Sequence, residues 1–324
     1  MKPFESFLAA TLEDYIGYRK SLGYTDKHLR AALRPFDRYL LRRPSELAEL
    51  CAGFILEFKS SLTTAPRSLN NVLSALRGFF NYLVRKELIE HNPLQDIPTT
   101  KPHAFIPFVF SARQTDQLLS AVQRRIRREP THFFADLTVH TAILLLARCA
   151  LRLSEPLRLK CGHYLKEQGC LIIEKTKFSK DRLIPLPKQV IDHLDNYLAV
   201  RTSLFLSAQN PYLLPGSQER MLSKRRIYEA FYQAVRDIGI NAPRRIVANT
   251  VFGAPTPHSL RHSFAINTLK QIRARGQSPQ AALPVLATFM GHRKYRYTAV
   301  YLKVLDAEKR QHLVDFSIEA QKDI

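Results

Sequence analysis

TPHSLRHSFAINTL, residues 256–269, reads as the opening of a helix that carries chemistry. Thr256 is an N-cap residue type, and Pro257 suits the first helical position. Leu260, Phe264, Ala265 and Leu269 recur at helical spacing, which predicts a helix over His258–Leu269 with one face in a core. His258 and Arg261 stand three apart and share a face. They fall in the first turn, where unpaired backbone N–H groups already favour an anion. An ordinary solvated helix surface would carry the same pair.

Downstream, a helix over Pro284–Met290 stops at Gly291, and His292 follows. Another helix over Ala299–Leu313 contains AVYLKV (299–304) and so Tyr301. Upstream, residues 239–256 read as an irregular loop, with helices at 188–203 and 223–238 before it. In GCLIIEKTKFSKDRLIPL (169–186) the period changes, and Leu171–Ile173 and Leu183–Leu186 read as two strands around a polar turn. Residues 142–147 are apolar nearly all round, which predicts that Phe134–Cys149 is a central core helix. LRLSE (151–155) follows, with a short helix from Ser154. A helix over Asp116–Ile126 opens this half of the chain.

The first hundred residues contain no such chemistry. Helices are predicted over 6–22, Asp26–Leu41 (with Pro35 inside), Ser45–Ser60 and Ser68–Lys86. The last carries a wide apolar stripe of Leu69, Val72, Leu73, Leu76, Phe79, Phe80 and Leu83. Together they predict a helical module over 1–92. PLQDIPTTKPHAFIPF (93–108) holds four prolines and reads as a linker, leaving 109–324 as a second domain. The expected fold is therefore mainly α with a small β-hairpin or sheet: a helical clamp followed by a mixed α+β domain.

Composition narrows the partner. The chain has 324 residues, with 49 Lys and Arg against 28 Asp and Glu, a net +21 that calls for a polyanion. The excess is uneven: residues 1–100 carry net +3 and residues 101–324 net +18. Residues 251–300 hold seven basic residues and no acidic one, which excludes a carboxylate-held magnesium site built there alone. Arg67, Arg77 and Arg85 in the first module and the cluster Arg124, Arg125, Arg127 and Arg128 in the second are candidates for phosphate contact. A solvated helix end would look alike. Four cysteines are too few for a disulfide scaffold at this length, which points to a reduced, intracellular protein. A zinc site from the later cysteines and His163 competes with plain buried thiols, and the thiols are the simpler reading. No apolar run approaches a membrane span.

The order of LRLSE, KTKFSKDR, PHSLRH, MGH and AVYLKV resembles the tyrosine recombinases, or phage-type integrases, over nearly the whole chain. In that family the first arginine stands in Gly-Leu-Arg-x-Ser-Glu; here the segment is Ala150-Leu151-Arg152-Leu153-Ser154-Glu155, with alanine for glycine. The hairpin lysine matches Lys177, with Lys180 as the alternative, in a turn where Phe178 and Ser179 replace the usual small residues. His258 and Arg261 match the His-x-x-Arg pair, followed by His262. Gly291-His292 matches the late Gly-His, and Tyr301 falls nine residues after that histidine. Arg293, Tyr295, Arg296 and Tyr297 crowd a segment where small polar residues are usual, adding phosphate-contact candidates and competing tyrosines.

The resemblance implies that Tyr301 attacks a DNA phosphodiester, leaving a 3′-phosphotyrosine and a free 5′-hydroxyl. A phenol of ordinary pKa near 10 needs help to ionise, and the phosphorane gains negative charge. Arg152 and Arg261 meet that charge with planar forks of donors. By the same resemblance His258 and His292 add hydrogen bonds, His258 is the candidate base, and Lys177 protonates the leaving oxygen. Glu155 and His262 are expected to support these groups. The scheme needs no cofactor, metal or ATP. It implies specific double-stranded DNA sites as substrate, a tetramer on two sites, and a cytoplasmic, nucleoid-associated protein, while the near-neutral balance of the tail from Leu302 to Ile324, four basic against five acidic residues, points to protein contact. A transposase of the same catalytic family, and a DNA-binding protein without catalysis, are the alternatives.

Overall fold

The computed structural model describes residues 2–43, 45–174, 181–204, 210–216, 220–292 and 294–305, with Pro130 as backbone only. The chain divides into two compact units, Met1–Ala104 and Phe105–Ile324. No helix among the described residues is long and apolar enough to cross a membrane.

The first unit is helical: α1 (Ala9–Ser21), α2 (Asp26–Arg42), α3 (Ala52–Ser61) and α4 (Pro66–Arg85). The predicted stripe of α4 is buried throughout and packs on α2 and α1. Phe36, Phe58, Phe79 and Phe80 form the fully buried aromatic centre, Phe36 meeting Phe58 edge-on at 5.1 Å. A short 3-10 turn, Leu47–Glu49, precedes α3, so the helix expected from Ser45 starts later.

The proline-rich stretch 93–108 does not lie wholly between the units. Leu94 and Ile97 are buried in the first unit's core. Arg77 donates to their carbonyl oxygens at 3.3 and 2.8 Å, and Asn70 exchanges two hydrogen bonds with the Thr100 backbone. Polar side chains of α4 thus pair the backbone of a segment that has no ladder of its own.

In the second unit, β1 (Ala104–Ile106) is followed by α5 (Ala112–Arg124), α6 (Pro130–Arg148) and the short α7 (Ser154–Arg158). Ser111 caps α5 by accepting from Gln114 N at 3.1 Å, so this helix starts earlier than its apolar periodicity alone indicates. Next come β2 (Tyr164–Leu165), β3 (Cys170–Ile173) and β4 (Arg182–Pro185), an antiparallel sheet with Ile173 opposite Arg182. Then follow α8 (Lys188–Leu204), α9 (Lys224–Asp237), β5 (Arg245–Val247), β6 (Thr250–Phe252), α10 (Pro257–Ala274) and α11 (Pro279–Met290), with a further helix over 296–305.

Helix α6 is the hub, packed against α5, α8, α9 and α10, as its all-round apolar run requires. Residues 239–256, expected as a loop, contain the β5–β6 hairpin, which joins β1 in a second sheet of order β1-β6-β5. Two features hid it. Every β5 residue is exposed, so no alternation marks the strand, and Ala248 rather than glycine takes the positive φ of 49° at the turn.

Candidate active site

The site begins where α6 ends. Cys149 closes the helix and Ala150 turns the chain with φ 50°, a left-handed conformation that glycine adopts without strain. Arg152 follows, and Glu155 sits in the first turn of α7 with 7% exposure. The Glu155 carboxylate accepts from Arg152 Nη1 at 2.8 Å and Arg152 N at 2.8 Å. It also takes a bidentate fork from Arg182, at 3.0 and 2.8 Å. Burial alone would raise its pKa, but the two arginines hold it below the usual carboxylate range.

Arg182 is the residue that sequence reading missed. It was visible as an arginine at the base of the hairpin, heading an otherwise apolar strand, and its cross-strand partner Ile173 is buried. Its Nε also donates to the Phe289 carbonyl at 3.0 Å.

That last contact belongs to a pattern. A helix leaves its final carbonyls without intrahelical partners. At the C-terminus of α11 the backbone N–H groups of His292 and Gly291 serve the carbonyls of Ala287 and Thr288, both at 2.9 Å. Gly291 makes this turn possible with φ 65°. Arg182 takes the carbonyl of Phe289, Arg261 Nη2 that of Met290, and Arg152 Nη2 that of Gly291 at 2.5 Å. Three guanidiniums from three elements converge on the negative end of one helix dipole.

Arg261 projects from the first turns of α10 and is 1% exposed. Its Nη1 donates to the Ala150 carbonyl, tying α10 to the Arg152 segment. Burial, then Arg152, pushes its pKa down to about 9, so the guanidinium stays charged at neutral pH. Among the described residues its hydrogen bonds go only to carbonyl oxygens, and the nearby Glu155 charge offsets part of the cost of burial, so spare donors remain for an anion.

The histidines and Tyr301 complete the cluster. His258 and His262 meet edge-on at 4.7 Å on α10. His262 Nδ1 and the Tyr301 hydroxyl share a hydrogen bond of 3.0 Å. His292 is oriented by a 2.8 Å bond between its Nδ1 and Thr298 Oγ1, and its ring lies 6.4 Å from that of Tyr301. Tyr301 is 4% exposed and belongs to the buried cluster that includes Ile266, Leu269, Leu283, Leu286, Met290 and Leu305. Burial raises its pKa to about 12 although Arg261 and Arg152 oppose the shift. Burial lowers His262 to about 3 and His292 to about 4, and also lowers His258.

The remaining candidates separate into groups. Lys177, Lys180 and Arg293 lie outside the described residues, as does the tail from 306 onward. Arg296 is exposed, stacked over Tyr297 at 5.5 Å. Arg125 and Arg127 form ion pairs with Asp237 and Asp136 at 2.5 and 2.7 Å, while Arg124 and Arg128 are exposed. In the first unit Arg67 is exposed, Arg77 serves the carbonyls already named, and Arg85 bonds Tyr18 Oη at 3.2 Å. Among the described residues, no group of three His, Cys, Asp or Glu side chains could hold a metal ion.

The histidines make stability pH-dependent. Beside those of the site, His140 is buried between α6 and α8. Its ring is 5.1 Å from His193, and its Nδ1 has no hydrogen-bond partner among the described residues. Burial, then His193, lowers its pKa to about 4, and burial lowers His193. Folded pKa values below the unfolded value of about 6.5 mean that the unfolded chain binds more protons in this range. The stability is fully present above about pH 6.5 and drains away as pH falls towards 4. At about 1.4 kcal/mol per unit, His140 alone is worth about 3 kcal/mol over that window. Urea midpoints are therefore expected to drop steeply between neutrality and pH 5; a flat profile would contradict the burial of these rings.

Residues 109–308 match the Phage integrase family. The putative integrase/recombinase y4rE of Sinorhizobium fredii is 30% identical over 306 residues, 93% of either chain. The tyrosine recombinase XerD of Brucella suis is 29% identical over 272 residues, 82% of this chain and 81% of that protein. The fold resembles the XerH site-specific recombinase bound to palindromic difH substrate, with TM-score 0.67 at 19% identity, over 89% of this chain and 78% of that one. It also resembles lambda integrase (75–356), solved as a dimer bound to a COC′ core site, with TM-score 0.63 at 17% identity over 89% and 96% of the two chains. With the family matched across the whole segment that builds the arginine, histidine and tyrosine cluster, this chain belongs to the phage integrase family.

Proposed function

We propose that the protein is a site-specific tyrosine recombinase that cuts and rejoins DNA strands through a covalent 3′-phosphotyrosine on Tyr301. What supports this reading is the clustering at Tyr301: His262 bonds its hydroxyl at 3.0 Å, His258 stands against His262, His292 lies 6.4 Å from its ring, and the charges of Arg261 and Arg152 reach it. The phenolic oxygen attacks phosphorus, the P–O5′ bond breaks, and the phosphotyrosine ester forms. Arg152 and Arg261 each have donors left over from the α11 carbonyls to hold the phosphate oxygens. The phenolic proton leaves towards the histidine pair, where His262 Nδ1 is in hydrogen-bond reach and His258 stands edge-on to it. Lys177 gives a proton to the departing 5′-oxygen. The ester conserves the bond energy, so a second strand's 5′-hydroxyl reverses the step without ATP.

The partner in this reading is double-stranded DNA bearing recombination sites. The unit over 1–104 clamps the duplex and the unit over 105–324 cleaves; most of the proline-rich stretch, with Leu94 and Ile97 in the first core, belongs to the clamp. Pairing two sites needs a tetramer. Solved relatives of similar fold support that assembly, including lambda integrase as a tetramer bound to a Holliday junction. The tail beyond residue 305 supplies protein contacts, and the protein works in the cytoplasm on the nucleoid.

Trapping on nicked duplexes carrying the DNA that flanks its coding region tests the proposal. Denaturing gels are expected to show a covalent adduct undiminished by excess EDTA, with Tyr301 as the DNA-linked residue on peptide mapping. An adduct lost in EDTA and restored by magnesium would defeat the metal-free step, and no adduct at all would favour a DNA-binding protein without catalysis.

A further inference from the structure

The β5–β6 hairpin plays no part in the site just described, yet its surface is unusual. Arg245, Ile246 and Val247 pair with Phe252, Val251 and Thr250. On the inner side β6 is anchored: Val251 is buried, and Gly253 N donates to the Ile106 carbonyl at 2.8 Å. On the outer side β5 is the sheet edge, with Ile246 60% and Val247 58% exposed, beside exposed Arg244 and Arg245. Arg245 is propped over the Phe252 ring at 5.9 Å. A charged residue on an edge strand is commonly a guard against aggregation. Guarding does not explain why both β-branched residues stay uncovered, or why, among the described residues, no carboxylate forms an ion pair with the two arginines. Between Asp237 and Asp306 the chain has no acidic residue.

That charge imbalance selects a polyanion. Only four residues separate Phe252 from Pro257 at the start of α10. At about 3.5 Å per residue the hairpin ends within roughly 18 Å of the helix end that carries His258. Along duplex DNA that is about five nucleotides of one strand. A two-stranded ribbon is also a shape that fits the major groove.

We infer that the hairpin grips duplex DNA beside the reacting phosphate, Arg244 and Arg245 on backbone phosphates and Ile246 and Val247 against the groove wall. The inference rests on the recombinase reading for the position of that phosphate, but its test does not require cleavage. Full-length wild type, Arg244→Ala/Arg245→Ala and Ile246→Ser/Val247→Ser are titrated with a fluorescent random-sequence duplex between about 50 and 200 mM salt. The arginine double variant is expected to weaken binding about tenfold at the lower salt and to flatten the log–log salt slope by about 1.8, two phosphates at 0.9 each. The Ile–Val variant is expected to weaken binding by a factor that does not change with salt. All changed side chains are exposed, so the melting temperatures should match wild type.

Unchanged affinity and slope in the arginine variant would overturn the inference. So would an unchanged slope with a lower oligomer mass in sedimentation, which would make the hairpin a protein contact. Loss of the Tyr301 adduct in wild type would instead defeat the recombinase reading and leave the slope comparison standing.

Discussion

Tyr301→Phe eliminates the covalent adduct and leaves duplex affinity within about fivefold of wild type, the worth of one neutral hydrogen bond. The variant deletes one oxygen and keeps the ring in the buried cluster that includes Met290 and Leu305. Phenylalanine has no oxygen to carry the phosphoryl group, so the loss of adduct is complete rather than graded. Stability should change little, by about 1 kcal/mol, because His262 Nδ1 loses one partner. Tyr295 and Tyr297 are the competing nucleophiles, and each is half exposed. Tyr297 does approach His292, at 6.4 Å between rings, but Tyr301 meets both His292 and His262. An adduct persisting in Tyr301→Phe and mapping to Tyr297 would overturn the assignment. With its pKa near 12, the phenol is protonated at neutral pH before DNA arrives. The bound phosphate and its two arginines must therefore work together with a proton acceptor.

Arg182→Gln is the substitution with the largest expected cost in stability. It leaves the buried Glu155 carboxylate with Arg152 alone and the Phe289 carbonyl without its donor. Removing one member of a buried ion pair typically costs about 3–5 kcal/mol. At about 2–4 °C per kcal/mol, the second unit should melt roughly 10 °C lower. Adduct formation should fall as well, because Glu155 orients Arg152 through two hydrogen bonds. Arg182→Met/Glu155→Leu separates the two effects: removing both charges is expected to restore part of the stability while Arg152 loses both of its bonds to Glu155 and activity stays low. Wild-type melting in Arg182→Gln would show that the pair carries no such load.

Much of this was legible because the physics is local. The stripe of α4, the all-apolar run of α6 and the Thr256-Pro257 start of α10 each predict a helix from spacing and caps, and each helix is there. The site residues were legible as separated short segments with a family's order. What could not be read was pairing between distant groups. Nothing in residues 151–155 indicates that Glu155 answers to Arg182 as well as Arg152, or that three guanidiniums end on the carbonyls of 289–291. His262 reads as the neighbour of Arg261, but its bond to the tyrosine oxygen follows from the tertiary placement of 296–305. The β5–β6 hairpin was hidden because an exposed strand has no buried face to imprint a period of two.

The shared fastening of Arg152, Arg182 and Arg261 on one helix end has a consequence for the length of that helix. A one-residue insertion inside Pro279–Met290 would rotate that end by about 100° and misalign all three at once. A length change in this helix is therefore expected to undo all three fastenings together, whereas changes elsewhere in the chain leave them intact.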